Sequence, residues 1–255
     1  MGNEHYWQNK EERARQAKLH TVEMGGAYAR EIKRCVDNSL VYRSIDTTIA
    51  QGEPEFILTD KDTVSQIFAS DYKRAVALNF ASYKNPGGGF LKGSSAQEES
   101  LCMESYLYNV LKEFPTYYAQ NGEHLNRGLY TDAAIYTPSI LFIRNQDIKY
   151  CDVLTCAAPN RSLGLKYGNF SLSENTMALR RRTQFIRNII ESLDIDTAIL
   201  GAWGCGVFMQ DPEEVARVIK EEFSKTSLEK VILAVPNTPH SRENYLAFER
   251  VFVGK

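Results

Sequence analysis

The sequence predicts an α/β layered domain with a mixed sheet. Short apolar runs alternate with helix-compatible segments along most of the chain. Two glycine-rich stretches, around Gly87-Gly88-Gly89 and Gly201 to Gly206, each follow an apolar run and precede a helical one. At 255 residues and 43% hydrophobic content, the chain can bury a sizeable core as one large domain, or as one domain with an appended segment.

Taken in order, residues 8–37 read as one long helix rich in Glu, Lys, Arg, Gln and Ala, with a break or kink expected at Met24-Gly25-Gly26. Residues 1–38 are therefore assigned to an N-terminal helical extension packed on the domain, and residues 39–255 to the domain itself. Leu40 to Tyr42 and Glu55 to Thr59 read as strands, and Asp62 to Phe68 as a helix behind an aspartate N-cap. Arg74 to Phe80 is a continuous apolar run, the mark of a buried strand. Ala96 to Lys112 has helical periodicity, with Leu101, Tyr108 and Leu111 able to share a face. Pro115, Asn121, Gly122 and Gly128 predict a long irregular connection over 114–132. Ala134 to Tyr136, Ile140 to Ile143 and Val153 to Ala157 read as strands, and Pro159 to Gly168 as a loop. Glu174 to Leu193 reads as a long helix and Ala198 to Gly201 as a strand. Pro212 to Phe223 has a proline at N1 and acids in its first turn, a helix start. Val231 to Val235 and Ser241 to Phe252 complete the alternation.

Composition excludes several classes of function. A net charge of −2 leaves no global electrostatic footprint for nucleic acid or an acidic membrane surface. The segment Met1 to Arg15 is too polar for a signal peptide, and no apolar run has bilayer length. The five cysteines, Cys35, Cys102, Cys151, Cys156 and Cys205, include no CxxC pair and read as reduced thiols of a cytoplasmic protein. The four histidines are scattered without metal spacing, so neither a metal nor a cofactor is expected.

Chemistry concentrates at residues 79–99. Three consecutive glycines carry a large entropic cost and let backbone N–H groups approach an anion or a sugar. Gln97-Glu98-Glu99 then opens a helix with two acids suited to acid/base work. The plain alternative for Glu98 and Glu99 is a pair of first-turn acids complementing a helix dipole. The second stretch, Gly201 to Asp211, again sits between a strand and a helix, where open α/β sheets bind ligands. Facing each other, the two loops suit a diphosphate held by backbone N–H groups. Neither is a Walker A loop, for want of Gly-Lys-Ser/Thr, nor a dinucleotide fingerprint, for want of the third glycine.

The spacing GGG-x7-QEE within LNFASYKNPGGGFLKGSSAQEESL resembles the poly(ADP-ribose) glycohydrolase signature of the bacterial, microbial-type branch. GAWGCGVF with DPEEVA resembles that branch's diphosphate-binding loop. The similarity covers residues 76–108 and 198–216, and the rest is compatible in order and length. It implies a macrodomain-like three-layer α/β/α sandwich, with the N-terminal helical extension added to it. It also implies hydrolysis of the ribose–ribose O-glycosidic bond, with release of ADP-ribose. By that similarity Glu99 is the general acid/base and Glu98 positions a ribose. Gly87, Gly88 and Gly89 wrap the distal ribose and diphosphate, with Gln97 beside them. Gly204, Cys205, Gly206, Val207 and Phe208 hold the diphosphate, and Ser82 and Asn85 contact ribose. The implied partners are an ADP-ribose polymer or an ADP-ribosylated macromolecule as substrate and ADP-ribose as product. Two rival readings are a binding module that does not cleave, and a hydrolase acting on mono-ADP-ribosylated protein or nucleic acid.

The residues bear independently on the reaction. Glycosidic cleavage passes through an oxocarbenium-like state and needs a proton on the leaving oxygen, which a carboxylic acid can supply before activating water. A helix start favours the ionised carboxylate, whereas the neighbouring acid, burial and a bound diphosphate favour the protonated one. Cys205 reads as a small residue tolerated in a tight loop, Trp203 as packing, and Arg180-Arg181-Arg182 as a solvated helix face. Tyr117, Tyr118 and Tyr130 are candidates for stacking on adenine.

Overall fold

The structure, a computed structural model, describes residues 9–47, 52–69 and 71–254. The first eight residues of the N-terminal segment lie outside the described residues. Strands β1 (Leu40–Tyr42), β2 (Glu55–Thr59), β3 (Ala75–Phe80), β4 (Ala134–Arg144), β5 (Asp147–Cys156), β6 (Thr197–Leu200) and β7 (Lys230–Ala234) form one sheet in the order β1-β4-β5-β3-β6-β7-β2. From β5 across to β2 all neighbours are parallel, while β4 runs antiparallel to both β1 and β5. The sheet is therefore mixed, as the alternation of elements predicts.

Successive strand residues point to opposite faces, and β3 divides its side chains between two cores. Ala75 and Ala77 join Leu101, Tyr106, Leu107 and Ile140 on one side; Val76 and Leu78 join Leu179, Ile186, Val215 and Phe248 on the other. The first core is covered by α1 (Lys10–Ala27), α2 (Ala29–Asn38), α3 (Thr63–Ala69), α4 (Gln97–Met103), α5 (Leu107–Leu111) and α6 (Pro115–Glu123). Helix α7 (Arg161–Tyr167) brings Leu163 to a small cluster of Leu129, Phe170 and Ala178. The second core is covered by α8 (Leu172–Glu191), α9 (Pro212–Phe223) and α10 (Arg242–Phe252). The result is a three-layer α/β/α sandwich.

Several boundaries differ from the sequence reading. The N-terminal helix breaks at Tyr28, just past the glycines, where φ −122° and ψ 29° leave the helical region and the ring packs on Tyr106. The helix expected over Ala96 to Lys112 divides at Glu104 to Tyr106. There the backbone turns to the sheet: Ile143 donates its N–H to the Glu104 carbonyl, and Ser105 bridges Phe142. The Ser105 hydroxyl then accepts from the Leu107 N–H and restarts the helix as α5. Within 114–132, Pro115 starts α6 and does not break it, because its missing N–H falls at N1. The stretch 159–168, expected as a loop, contains α7. The two strands expected at 134–143 are one, bulged where Pro138 lacks an N–H and Ser139 takes φ +54°. The freed Ser139 N–H donates to buried Asp152.

The arginine run is a larger departure. Arg180 and Arg181 are half-exposed and ion-paired, but Arg182 is fully buried. Its guanidinium donates to Asp132 (2.5 Å), to the Ala157 carbonyl (2.8 Å) and to the Leu129 carbonyl (3.2 Å). It thus ties α8 to the exit of β5 and to the segment before β4. Removing the guanidinium takes a donor from the Ala157 and Leu129 carbonyls, while Asp132 keeps Arg181; a buried acceptor left unsatisfied costs about 1–3 kcal/mol. Arg182→Met is expected to lower unfolding free energy by that amount in chemical denaturation. Arg182→Lys is expected to recover only part of it, since an ammonium cannot present the planar fork. A loss below about 1 kcal/mol for the Met variant would return Arg182 to the solvated class.

Candidate active site

The parallel strands β2, β3, β5, β6 and β7 all end on one edge of the sheet, and a cleft of about 670 Å³ opens there. This is the edge at which open α/β sheets place ligands. Residues 80–82 at the end of β3, 96–100 at the start of α4, 202–204 and 206–208 after β6, and 234–236 at the end of β7 line it. Of the residues singled out in the sequence, Ser82, Asn85, Gly88, Gly89, Gln97, Glu98, Glu99, Gly204, Gly206, Val207 and Phe208 all line this one cleft. Gly87 lies behind the wall, against the Tyr108 ring and the Cys102 sulfur. Cys205 also lies outside the lining, and burial pushes its thiol up, away from the nucleophilic thiolate.

Gln97 docks the helix that carries the acids. Its Oε1 accepts from the Phe80 N–H (2.8 Å), and its Nε2 donates to the Leu78 carbonyl (2.8 Å) and to Thr63 Oγ1 (3.1 Å). The β3–β6 register ends at Ala77↔Ile199. The Gln97 amide therefore takes the place of a neighbouring strand for the last residues of β3, and both its polar atoms are engaged in doing so.

Glu98 is 3% exposed. Its Oε2 accepts from the Ser82 N–H (2.7 Å) and its Oε1 from Asn79 Nδ2 (3.3 Å). Burial is the dominant effect on this carboxyl, with the Glu99 charge adding to it, and its pKa is pushed up from the ordinary 4.5 to about 8. The hydrogen bonds from Ser82 and Asn79 work against that rise without cancelling it. Asn79, itself fully buried, also donates to Thr155 Oγ1 across the β3–β5 ladder.

Glu99 faces the other way around the loop. Its Oε1 accepts from the Gly89 N–H (2.8 Å) and its Oε2 from the Ala96 N–H (3.0 Å). Each carboxylate oxygen keeps a second acceptor position, and the side chain remains 8% exposed. Gly88 is wedged against both acids, with φ +60°. A Cβ there would lie 2.7 Å from Glu99 Oε1 and 2.8 Å from Glu98 Oε2. Only glycine fits, on conformational and steric grounds together.

The second loop closes the cleft. Turn bonds run from the Cys205, Met209 and Gln210 N–H groups to the Ala202, Gly206 and Gly204 carbonyls. The N–H groups of Gly204, Gly206, Val207 and Phe208 make no hydrogen bond among the described residues. Such a row of unclaimed donors is a ready anion cradle. Phe208 meets Tyr130 edge-on (6.0 Å), and Tyr130 stacks on Tyr83 (4.0 Å, 10° between planes). Three aromatic rings thus connect the loop after β6 with the loop after β3. Tyr117, Tyr118 and Tyr130, considered for adenine stacking, are buried and lie outside the cleft lining. Trp203 is 1% exposed, and its indole donates to the Cys156 carbonyl.

Sequence reasoning missed the far end of the cleft, lined by Asp62, Thr63, Val64, Pro236, Ser241 and Asn244. Asp62 was legible as an N-cap, and its Oδ1 does accept from the Ser65 N–H. Its place beside the β7 exit depends on β2 pairing with β7, which no local pattern reveals. It missed Asn79 as well, whose strand position conceals a polar contact with Glu98.

Residues 9–145, more than half of the chain, match the family model described as microbial-type PARG, catalytic domain. Among solved structures, the chain is similar to poly(ADP-ribose) glycohydrolase from Thermomonospora curvata, at 26% identity and a TM-score of 0.84, covering 95% of this chain and 100% of that one. The Thermomonospora enzyme bound to the inhibitor ADP-HPD matches at 27% identity and a TM-score of 0.83, over 94% and 99%. A poly(ADP-ribose) glycohydrolase from Deinococcus radiodurans in complex with ADP-ribose matches at 28% identity and a TM-score of 0.76, over 88% and 97%. No curated protein matches the chain. The chain belongs to the microbial-type PARG catalytic-domain family.

Proposed function

We propose that this protein hydrolyses ribose–ribose O-glycosidic bonds in poly(ADP-ribose) and releases ADP-ribose. The observation that carries the reading is the pair of buried, differently anchored acids, Glu98 and Glu99, on the wall of a cleft between two glycine loops. Family membership and the ADP-ribose and ADP-HPD complexes of the similar enzymes support it. In this reading the unclaimed N–H groups of Gly206, Val207 and Phe208 receive the diphosphate. Ser82, Asn85, Gly88 and Gly89 surround the distal ribose. The adenine end extends toward Val64, Pro236 and Asn244. Five free cysteines accord with a reducing, cytoplasmic setting.

Glu99 is the general acid/base. Protonated, it gives its proton to the leaving ribose oxygen as the anomeric C–O bond breaks. Ionised, it takes a proton from the water whose hydroxyl adds to the anomeric carbon, which returns Glu99 to its starting state. The bound diphosphate stabilises the oxocarbenium-like charge between these steps. Glu98 holds ribose in place from the buried side. Kept neutral, it adds no second negative charge next to an anionic ligand.

Offered a poly(ADP-ribosyl)ated substrate, the wild-type protein is expected to release ADP-ribose, read by chromatography of the products. Glu99→Gln is expected to lose about 10²- to 10⁴-fold in rate, the contribution of one general acid/base, while still binding ADP-ribose by calorimetry. Tight ADP-ribose binding without release from any substrate would make the protein a binding module. Release only from singly modified targets would make it a mono-ADP-ribosyl hydrolase.

The raised pKa of Glu98 gives a second test. Between its ordinary 4.5 and about 8, the folded state holds a proton that the unfolded chain has released. Wild-type stability therefore falls as pH rises through that window and is fullest below it. Glu98→Gln has no such proton to lose. Its melting temperature relative to wild type is expected to rise from about pH 5 to about pH 9. A constant difference would mean that Glu98 is ionised in the folded protein across the window.

A further inference from the structure

We infer that Arg13, on the N-terminal helix, is a positioning residue for Glu99. The inference rests on the proposed role of Glu99 and extends it to a part of the chain remote in sequence. The Arg13 Nε–H donates to the Gly93 carbonyl at 2.7 Å. Gly93 has φ +76°, and the backbone of α1 lies directly on it: a Cβ would meet the Lys10 carbonyl oxygen at 2.0 Å. Gly93 closes the 3₁₀ turn Phe90–Lys92. Within that turn the Gly89 carbonyl accepts from both the Lys92 N–H (2.9 Å) and the Ser94 N–H (3.1 Å). The same residue, Gly89, donates its N–H to Glu99 Oε1. The path from Arg13 to the carboxylate is thus Gly93, a two-bond clamp on the Gly89 carbonyl, and the Gly89 N–H.

The helix meets the turn at a second point. His20 places its ring edge-on to Phe90, the first residue of the turn, at 6.4 Å, and its Nε2 donates to the Ser105 carbonyl. Thr21 accepts from the Asn109 side chain through its carbonyl. These contacts dock α1 on the domain without Arg13, so removing the guanidinium leaves the helix in place and releases the Gly93 carbonyl. The family match begins at residue 9, so α1 falls within the matched span.

The test uses the full chain as wild type, Arg13→Ala and Arg13→Lys. Arg13→Ala is expected to lower kcat on poly(ADP-ribose) about tenfold, the scale of a small misplacement of a catalytic group. Its affinity for ADP-ribose by calorimetry is expected to stay within about threefold of wild type, and Arg13→Lys to recover most of the loss. The Gly89 amide proton, shifted downfield by its carboxylate partner, is expected to move upfield in Arg13→Ala. An unchanged Gly89 resonance overturns the inference whatever the rates do. So does a loss of ADP-ribose affinity equal to the loss in kcat, since the turn would then be holding ligand and not Glu99. If the wild type releases no ADP-ribose, the proposed reaction fails on its own, and the Gly89 resonance still decides the role of Arg13.

Discussion

The site depends on one side-chain amide. Gln97 satisfies the Phe80 N–H and the Leu78 carbonyl, the backbone groups left at the end of β3 after its register with β6 stops. Buried backbone groups need partners, and here the partner is the first residue of α4. That bond fixes the start of the helix against the central strand. The next two residues, Glu98 and Glu99, then project to opposite sides of the glycine loop. One amide thus sets both carboxylates without touching either.

Adjacent in sequence, the two acids differ in environment because their anchors differ. Glu98 turns inward, to Ser82 on the loop and to Asn79 on β3, and burial holds its proton. Glu99 turns toward the loop and is gripped by two backbone N–H groups, from Gly89 and Ala96. The glycine at 88 is the physical condition for both arrangements, since its missing side chain is the space the two carboxylates occupy. Two carboxyls can lie this close when Glu98 is held neutral.

The two jaws of the cleft are not independent loops. Tyr83, Tyr130 and Phe208 form a stacked and edge-on series from one to the other. Tyr83 is itself held by its hydroxyl to Thr131 and through its carbonyl by Asn121 on α6. Arg182 fixes the segment that carries Tyr130 from the opposite layer, through Leu129 and Asp132. Helix α1 closes the outer side at Gly93. Rigid elements from both faces of the sheet therefore converge on a site built of loops, the arrangement that lets flexible glycine segments hold defined geometry.

Much was legible in the sequence. Strand β3 followed from its apolar run, α9 from Pro212 with its acidic first turn, and the two glycine loops from their position between strand and helix. All these signals are local, fixed by backbone sterics, capping and side-chain period. The GGG-x7-QEE spacing pointed to the two acids through its resemblance to the family signature. Other features needed partners distant in sequence. Arg182 reads as surface until Asp132 and two carbonyls surround it. Asp62 is the helix cap it reads as, but its place on the cleft needs β2 paired with β7, and Pro115 reads as a breaker until α6 starts on it. The sequence alone determined that two acids follow three glycines at a fixed spacing, since residue type and order are covalent facts. Tertiary structure decided that Glu98 is buried deeply enough to hold its proton and which N–H groups grip Glu99. Burial and hydrogen-bond partners set those properties, and they exist only once strands, loops and the N-terminal helix have closed around residues 87–99.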